Sequence, residues 1–485
     1  MQSGRLKITF RLLCLLLLIN PIPVLPSAPN KTRPYTECLT YFENTPNQLN
    51  VYRLYGRTDG NTVFILGGIQ GDEPGGLMSA DLYPNLVLER GNLIVIPRAN
   101  FHSIINNQRG INGDMNRRFS SQNYTSIDDQ IVEIIKSLMA ESDLFLNLHD
   151  GSGYYSDTYI SEDHNPYRFG QSIIADAAAY VTPKDTIQLE ALARKVLEKV
   201  NQRINNPDHC LHFMNTNTFD PQTKFPEMKK SATYFALTQF GIPAFGIETS
   251  KDLNELELKI RYHNYAINEF LEIFEVEPEH PAIIYEPPRL IYLLISVNHT
   301  LPIVAEDQNI IPIFKGDIVT ITHIESNYNR GLSCDILGIG SDHDFQKGFV
   351  ISQPTKIIVR KDSREIGEVI LNIEEIDPQL FTYLIEVNGV KRAFMDGATV
   401  LVKRTDQLKI LNVLHEKMGT NSYKVNLKGF VPPVEINTGE DRQYLVDIST
   451  LQWKKYSIDK AGKIYPLVVV KNNQEISRIY LAIEE

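Results

Sequence analysis

Four short apolar runs, Val63–Leu66, Leu93–Ile96, Leu144–Leu148 and Ala244–Ile247, set the strongest limit on how this chain folds. They do not alternate with polar residues, so both faces of each strand must be buried. Between them the period changes to that of a helix. Ile131, Ile134, Ile135 and Leu138 make one face behind Asp128 and Asp129, Leu189, Leu192, Val196 and Val200 make another, and residues 260–274 a third. Strands that alternate with helices predict an α/β sheet covered on both sides.

Polar residues follow the carboxyl ends of these runs: Gln70 and Glu73 after the first, Arg98 after the second, His149 closing the third and Glu248 after the fourth. The carboxyl edge of such a sheet is where ligands bind. Gly67 and Gly68 release the first strand into a tight loop, and Pro74 suits the first turn of a helix. Two donors three residues apart on that loop, with His149 far along the chain, have the pattern of a metal site.

Gln70-x-x-Glu73 with the distant His149 resembles the zinc carboxypeptidase superfamily, whose signature is His-x-x-Glu followed much later by His. Gln70 stands where the first His is expected. Its amide oxygen adds no charge, like neutral imidazole, but is a weaker donor, so looser zinc binding is expected. This variant is similar to the murein DL-carboxypeptidases that set helical cell shape in curved bacteria. That resemblance implies a zinc on Gln70, Glu73 and His149, and a mixed sheet flanked by helices. It also implies peptidoglycan stem peptides as substrate, cut from tripeptide to dipeptide with release of meso-diaminopimelate.

The run Arg109-Gly-Ile-Asn-Gly-Asp-Met-Asn-Arg117 resembles the aspartoacylase-like branch of the same superfamily. By that resemblance Arg109 stabilises the oxyanion, while Asn116 and Arg117 hold the substrate carboxylate. A planar guanidinium suits that last task because it grips a carboxylate with two hydrogen bonds. Asp114 is placed to orient the loop. Glu248 matches the superfamily's catalytic carboxylate, which passes a proton from water to the leaving amine. Arg98 and Arg118 fit structural roles better than anion contacts. Other readings are an aspartoacylase- or succinylglutamate-desuccinylase-like amidohydrolase and a zinc-free murein-binding protein.

A chain of 485 residues is too long for one core. Arg5, Lys7 and Arg11 before the apolar stretch Leu12–Ile19, then Ser27-Ala28, have the order of a secretory signal. Export to the periplasm is expected, with no stable membrane span after cleavage. The net charge of −11 gives no reason to expect nucleic acid. Without the signal, Cys38, Cys210 and Cys334 remain, an odd number that leaves at least one thiol unpaired within the chain.

After Val276, prolines 278, 281, 287 and 288 mark a linker, and short strands with turn signals come next. The pattern of residues 356–373 returns at 466–483: Val359, Lys361, Glu365, Ile366, Leu371 and Ile373 recur at one offset. The expected organisation is a signal over 1–28, a catalytic domain over 29–276, and β modules over 277–377 and 378–485. No expected catalytic residue lies beyond Glu248, so the modules are expected to position substrate, and the first domain to close its own core.

Overall fold

The apolar runs form the centre of one sheet. A computed structural model describes residues 32–121, 125–280, 283–451 and 454–484, so the signal-like segment lies outside the described residues. Strands Leu88–Ile96, Thr58–Leu66, Leu144–Gly151 and Ala244–Ser250 lie side by side in that order, each parallel to its neighbour. Val63, Phe64, Ile65, Leu66, Phe145, Leu146, Phe245 and Ile247 are wholly buried at its core. The helical periods become Ile127–Met139, Leu189–Asn201 and Leu256–Ile273. Ser126 and Asp129 form a reciprocal cap at the start of the first, as its acidic opening predicts.

The sheet is mixed. Tyr35–Tyr41 and Leu49–Tyr55 extend one side antiparallel, and Ser172–Ala175 runs antiparallel to Ala244–Ser250 on the other, with His212–Asn215 beyond it. These edge strands carry no long apolar run, so the period that identifies the centre does not identify them.

From Leu290 onward the chain builds two pairs of four-stranded sheets with one topology. In the first pair, Ile310–Phe314 lies parallel to Arg364–Glu374; in the second, Thr399–Lys403 lies parallel to Gln474–Glu484. The irregularities repeat as well. A register shift at Val359/Arg360 recurs at Val469/Val470, and one at Leu294/Ile295 recurs at Leu384/Ile385. The sequence repeat is thus a structural repeat.

The repeat also recurs in its ionic contacts. Lys361, fully buried, sits 3.2 Å from Asp81 of the large sheet's layer. Its repeat equivalent Lys471, also buried, pairs with Asp317 of the first β pair. Arg98 and Arg330 each reach Asp81 Oδ1 at 2.7 Å, and Arg98 also bonds Asp362. Burial opposes the charge on Asp81, but Arg98, Lys361 and Arg330 outweigh it and hold the carboxyl well below its ordinary range. Arg98 therefore joins the large domain to the first pair of β sheets. Arg118 is structural too, bonding Ser126 and Asp129 at a helix start.

Cys38, Cys210 and Cys334 form no disulfide. Among the described residues, no helix is long and apolar enough to cross a membrane.

Candidate active site

The first strand ends at Leu66, and Gly68 takes a positive φ of 63° to turn the chain. The loop carries Gln70 and Glu73 before helix Pro74–Leu82, which has proline in its first turn. A Cβ on Gly76 would stand 2.7 Å from the Leu148 carbonyl, so glycine lets this helix lie close on the strand that ends in His149. Glu73 Oε2 comes to 2.8 Å from His149 Nδ1 and accepts the Asp150 backbone N–H at 3.3 Å. Asp150 fixes the loop from behind: its carboxylate accepts the Gly75 N–H at 2.7 Å and the Thr249 hydroxyl at 2.6 Å. Parallel register sets Glu248 beside His149.

Asp114 connects the two sequence motifs. Its Oδ1 accepts from Gln70 Nε2 at 2.9 Å, and its Oδ2 accepts from Arg109 at 2.9 Å. Gln70 therefore points its amide nitrogen away, leaving Oε1 without a donor among the described residues. Against burial, the Gln70 hydrogen bond and the Arg109 and Arg117 charges hold the Asp114 carboxyl below its usual range. Arg109 also reaches Glu73 Oε1 at 3.4 Å.

Gln70, Glu73, His149, Arg109, Asn116, Arg117 and Glu248 all line one cavity of about 220 Å³. Of the cations there, Lys251 pairs with Asp72 at 2.6 Å and Arg109 with Asp114. Arg117 makes no ion pair among the described residues; its Nη1 donates only to the Asn116 carbonyl. Of these three cations it alone has no carboxylate partner among the described residues. Asn116, expected to share the grip on a substrate carboxylate, is anchored through Oδ1, which accepts the Ala232 N–H at 3.0 Å, and its Nδ2 lies 3.4 Å from His149 Nε2.

Burial raises Glu248 to about 8, opposed by His149 and reinforced by Glu73 and Asp150. Burial pulls the His149 ring down, but the charge and hydrogen bond of Glu73 overcome it and the net shift is upward. These are the groups whose charge balance a cation changes most. No group of three or more His, Cys, Asp and Glu side chains among the described residues is arranged for a metal. The third donor here is an amide. Ligands about 2.0–2.1 Å from a tetrahedral ion stand roughly 3.3 Å apart. Glu73 and His149, at 2.8 Å, are close to that spacing, and Gln70 faces the same cavity. The donor set fits one zinc.

Asn147 and Lys251 are among the lining residues that carry no motif. Asn147, two before His149, is buried with both ends of its amide unpartnered among the described residues. Its place inside an apolar strand run was the available signal. Lys251 follows Glu248 by three residues, and nothing in its sequence surroundings marks it.

The family model described as "carboxypeptidase controlling helical cell shape catalytic" matches residues 38–295, more than half of the chain. The chain belongs to that family. Solved structures of cell-shape proteins share the fold of this cell-shape carboxypeptidase. The tripeptide-bound cell shape determinant Csd4 from Helicobacter pylori matches with a TM-score of 0.51 and 24% identity, over 90% of this chain and 100% of that one. Its product-bound form matches at 25% identity with the same coverage and score. No curated protein matches. Membership of the cell-shape carboxypeptidases makes the protein a hydrolase and accounts for the mixed sheet followed by small β sheets.

Proposed function

We propose that the protein is a zinc-dependent DL-carboxypeptidase of the periplasm that trims peptidoglycan stem peptides from tripeptide to dipeptide, releasing meso-diaminopimelate. The observation that carries this is one cavity holding Gln70, Glu73 and His149 together with the unpaired Arg117. Export rests on the charged and apolar order of residues 5–28. The relative crystallised with a tripeptide and with product supports the substrate class.

Gln70, Glu73 and His149 would hold the metal, and zinc there would supply a water of lowered pKa and polarise the scissile carbonyl. Arg117 grips the terminal carboxylate with two hydrogen bonds, which fixes the scissile bond relative to Glu248. Glu248 accepts the proton of the attacking water and delivers it to the leaving amine. Arg109, anchored by Asp114, faces the charge that develops on the carbonyl oxygen. Asn116, anchored by Ala232, shares the grip on the terminal carboxylate through Nδ2, and Asp150 keeps the Glu73 loop in place.

Purified muropeptide tripeptide incubated with the protein should give the dipeptide and free diaminopimelate by mass spectrometry. A chelator should abolish this and added zinc restore it. Loss of an acyl group in place of the terminal amino acid would establish an amidohydrolase instead, and substrate binding without turnover would establish a wall-binding protein.

A further inference from the structure

A larger cavity, about 560 Å³, lies beside the short helix Phe101–Ile105 and is lined from three stretches of chain. Residues 44–52 come from the sheet edge, 97–101 follow the strand Leu88–Ile96, and 323–347 belong to the first pair of β sheets. Its size falls in the range of about 300–1,000 Å³ usual for small-ligand sites.

Its chemistry is that of a neutral, hydroxyl-rich ligand. Phe101 and Phe345 supply flat apolar faces, the Tyr52 ring being covered by Arg330, and Asn44, Asn329 and Gln346 supply amides. Among the described residues no hydrogen bond engages those three side-chain amides or the Tyr52 hydroxyl. The cations are already occupied. Arg98 and Arg330 bond Asp81, and Lys347 Nζ donates to the His343 carbonyl at 2.8 Å. His343 has a buried Nδ1 without a partner among the described residues, and burial lowers its pKa, so the ring is neutral. Unpaired amides donate and accept in one geometry, as vicinal hydroxyls and acetamido groups do. Aromatic faces pack against the C–H face of a sugar ring.

Position supports the same ligand. Asp342 accepts from Asn106 at 2.6 Å and lies 3.2 Å from His102 Nε2, which ties the 101–106 segment to the loop below the cavity. On its other side that segment packs against the metal loop, where a Cβ on Gly71 would stand 2.2 Å from the Ser103 backbone. A helix with its side chains is about 10–12 Å across, so the 101–105 helix sets the scale of the step between the two regions. Three extended residues span roughly 10 Å.

We propose that this cavity is a subsite for the amino-sugar glycan from which the stem peptide hangs. The inference rests on the proposed function for its substrate, but its binding test does not. Full-length protein titrated with a tetramer of N-acetylglucosamine, followed calorimetrically, should show saturable binding, lost in Phe345→Ala and weakened in Gln346→Ala. In turnover, Gln346→Ala and Asn329→Ala should raise KM for disaccharide-tripeptide roughly tenfold, the loss of about one good contact. kcat should stay unchanged, as should both constants for free tripeptide. Gln346 and Asn329 are exposed, so these variants keep the test readable if Phe345→Ala unfolds. No binding of the sugar tetramer by the parent protein, or equal losses on both substrates, overturns the subsite. Sugar binding by a protein that cleaves no stem peptide would uphold the subsite and refute the proposed function alone.

Discussion

Asp114 shows how few residues set the geometry of the site, since one carboxylate orients both the Gln70 amide and the Arg109 guanidinium. The roles around it separate by kinetics. Glu248→Gln should keep substrate binding yet lose about 10²–10⁴-fold in kcat, the usual scale for a proton-transfer group. Arg117→Lys should chiefly raise KM, because the bidentate grip is lost. Full activity in both would place the chemistry elsewhere. A third residue gives a pH signature. Burial raises the Asp176 carboxyl to about 6, against an unfolded value near 3.9. The folded state thus binds that proton more tightly, and stability is lost as pH rises from about 4 through 6. Asp176→Asn should therefore match the parent near pH 4 and be more stable at pH 8, by on the order of 3 kcal/mol. Thermal melts at the two pH values check it, and an equal shift at both would show that the carboxylate's charge is not the cause.

At the scale of elements, the centre of the sheet and the site at its carboxyl edge were readable because continuous apolar strands and the residues after them leave a local mark. Gln70, Glu73, His149 and Glu248 converge as their strand ends imply. Spacing alone shows neither the bond of Asn116 to Ala232 nor its approach to His149. The antiparallel edges escaped because Tyr35–Tyr41 is largely exposed and has no buried face to pattern. The repeat in the β region was legible, but its meaning was not. Lys361 and Lys471 look like ordinary hairpin residues until each is seen inserted against the preceding unit. A paired substitution tests that device. Asp406 repeats the bonds of Asp317: Asn388 donates to it as Asn298 does to Asp317, and the Lys403 N–H as that of Phe314 does. Only Asp317 receives a buried lysine. Asp317→Asn should cost about 3–5 kcal/mol in urea unfolding, since Lys471 is left buried without a countercharge. Asp406→Asn should cost far less, because no buried lysine depends on its charge. Similar losses would mean that the turn, not the ion pair, carries the stability.

At the scale of the whole molecule, the seam behind the site is buried and charged. Leu77, Met78, Leu82, Ile104 and Ile260 share a cluster with Tyr328 from the β region, beside Asp81 and its three cations. The main core of the chain to Glu279 lies within residues 49–276, while Tyr328 closes this smaller cluster from the β region. A chain ending near His280 should be insoluble or unfold at markedly lower temperature, because it exposes that cluster and removes Arg330 and Lys361 from Asp81. Soluble truncated protein with an unchanged melting temperature would show the seam to be dispensable. The central claim is that an amide, a carboxylate and an imidazole bind one metal. Metal analysis of the purified, zinc-equilibrated protein tests it most directly. It should find about one zinc per chain, lost in Glu73→Ala and in His149→Ala, and held more tightly in Gln70→His, because imidazole is the better donor. Full zinc content in Glu73→Ala or His149→Ala, or none in the parent, would contradict it.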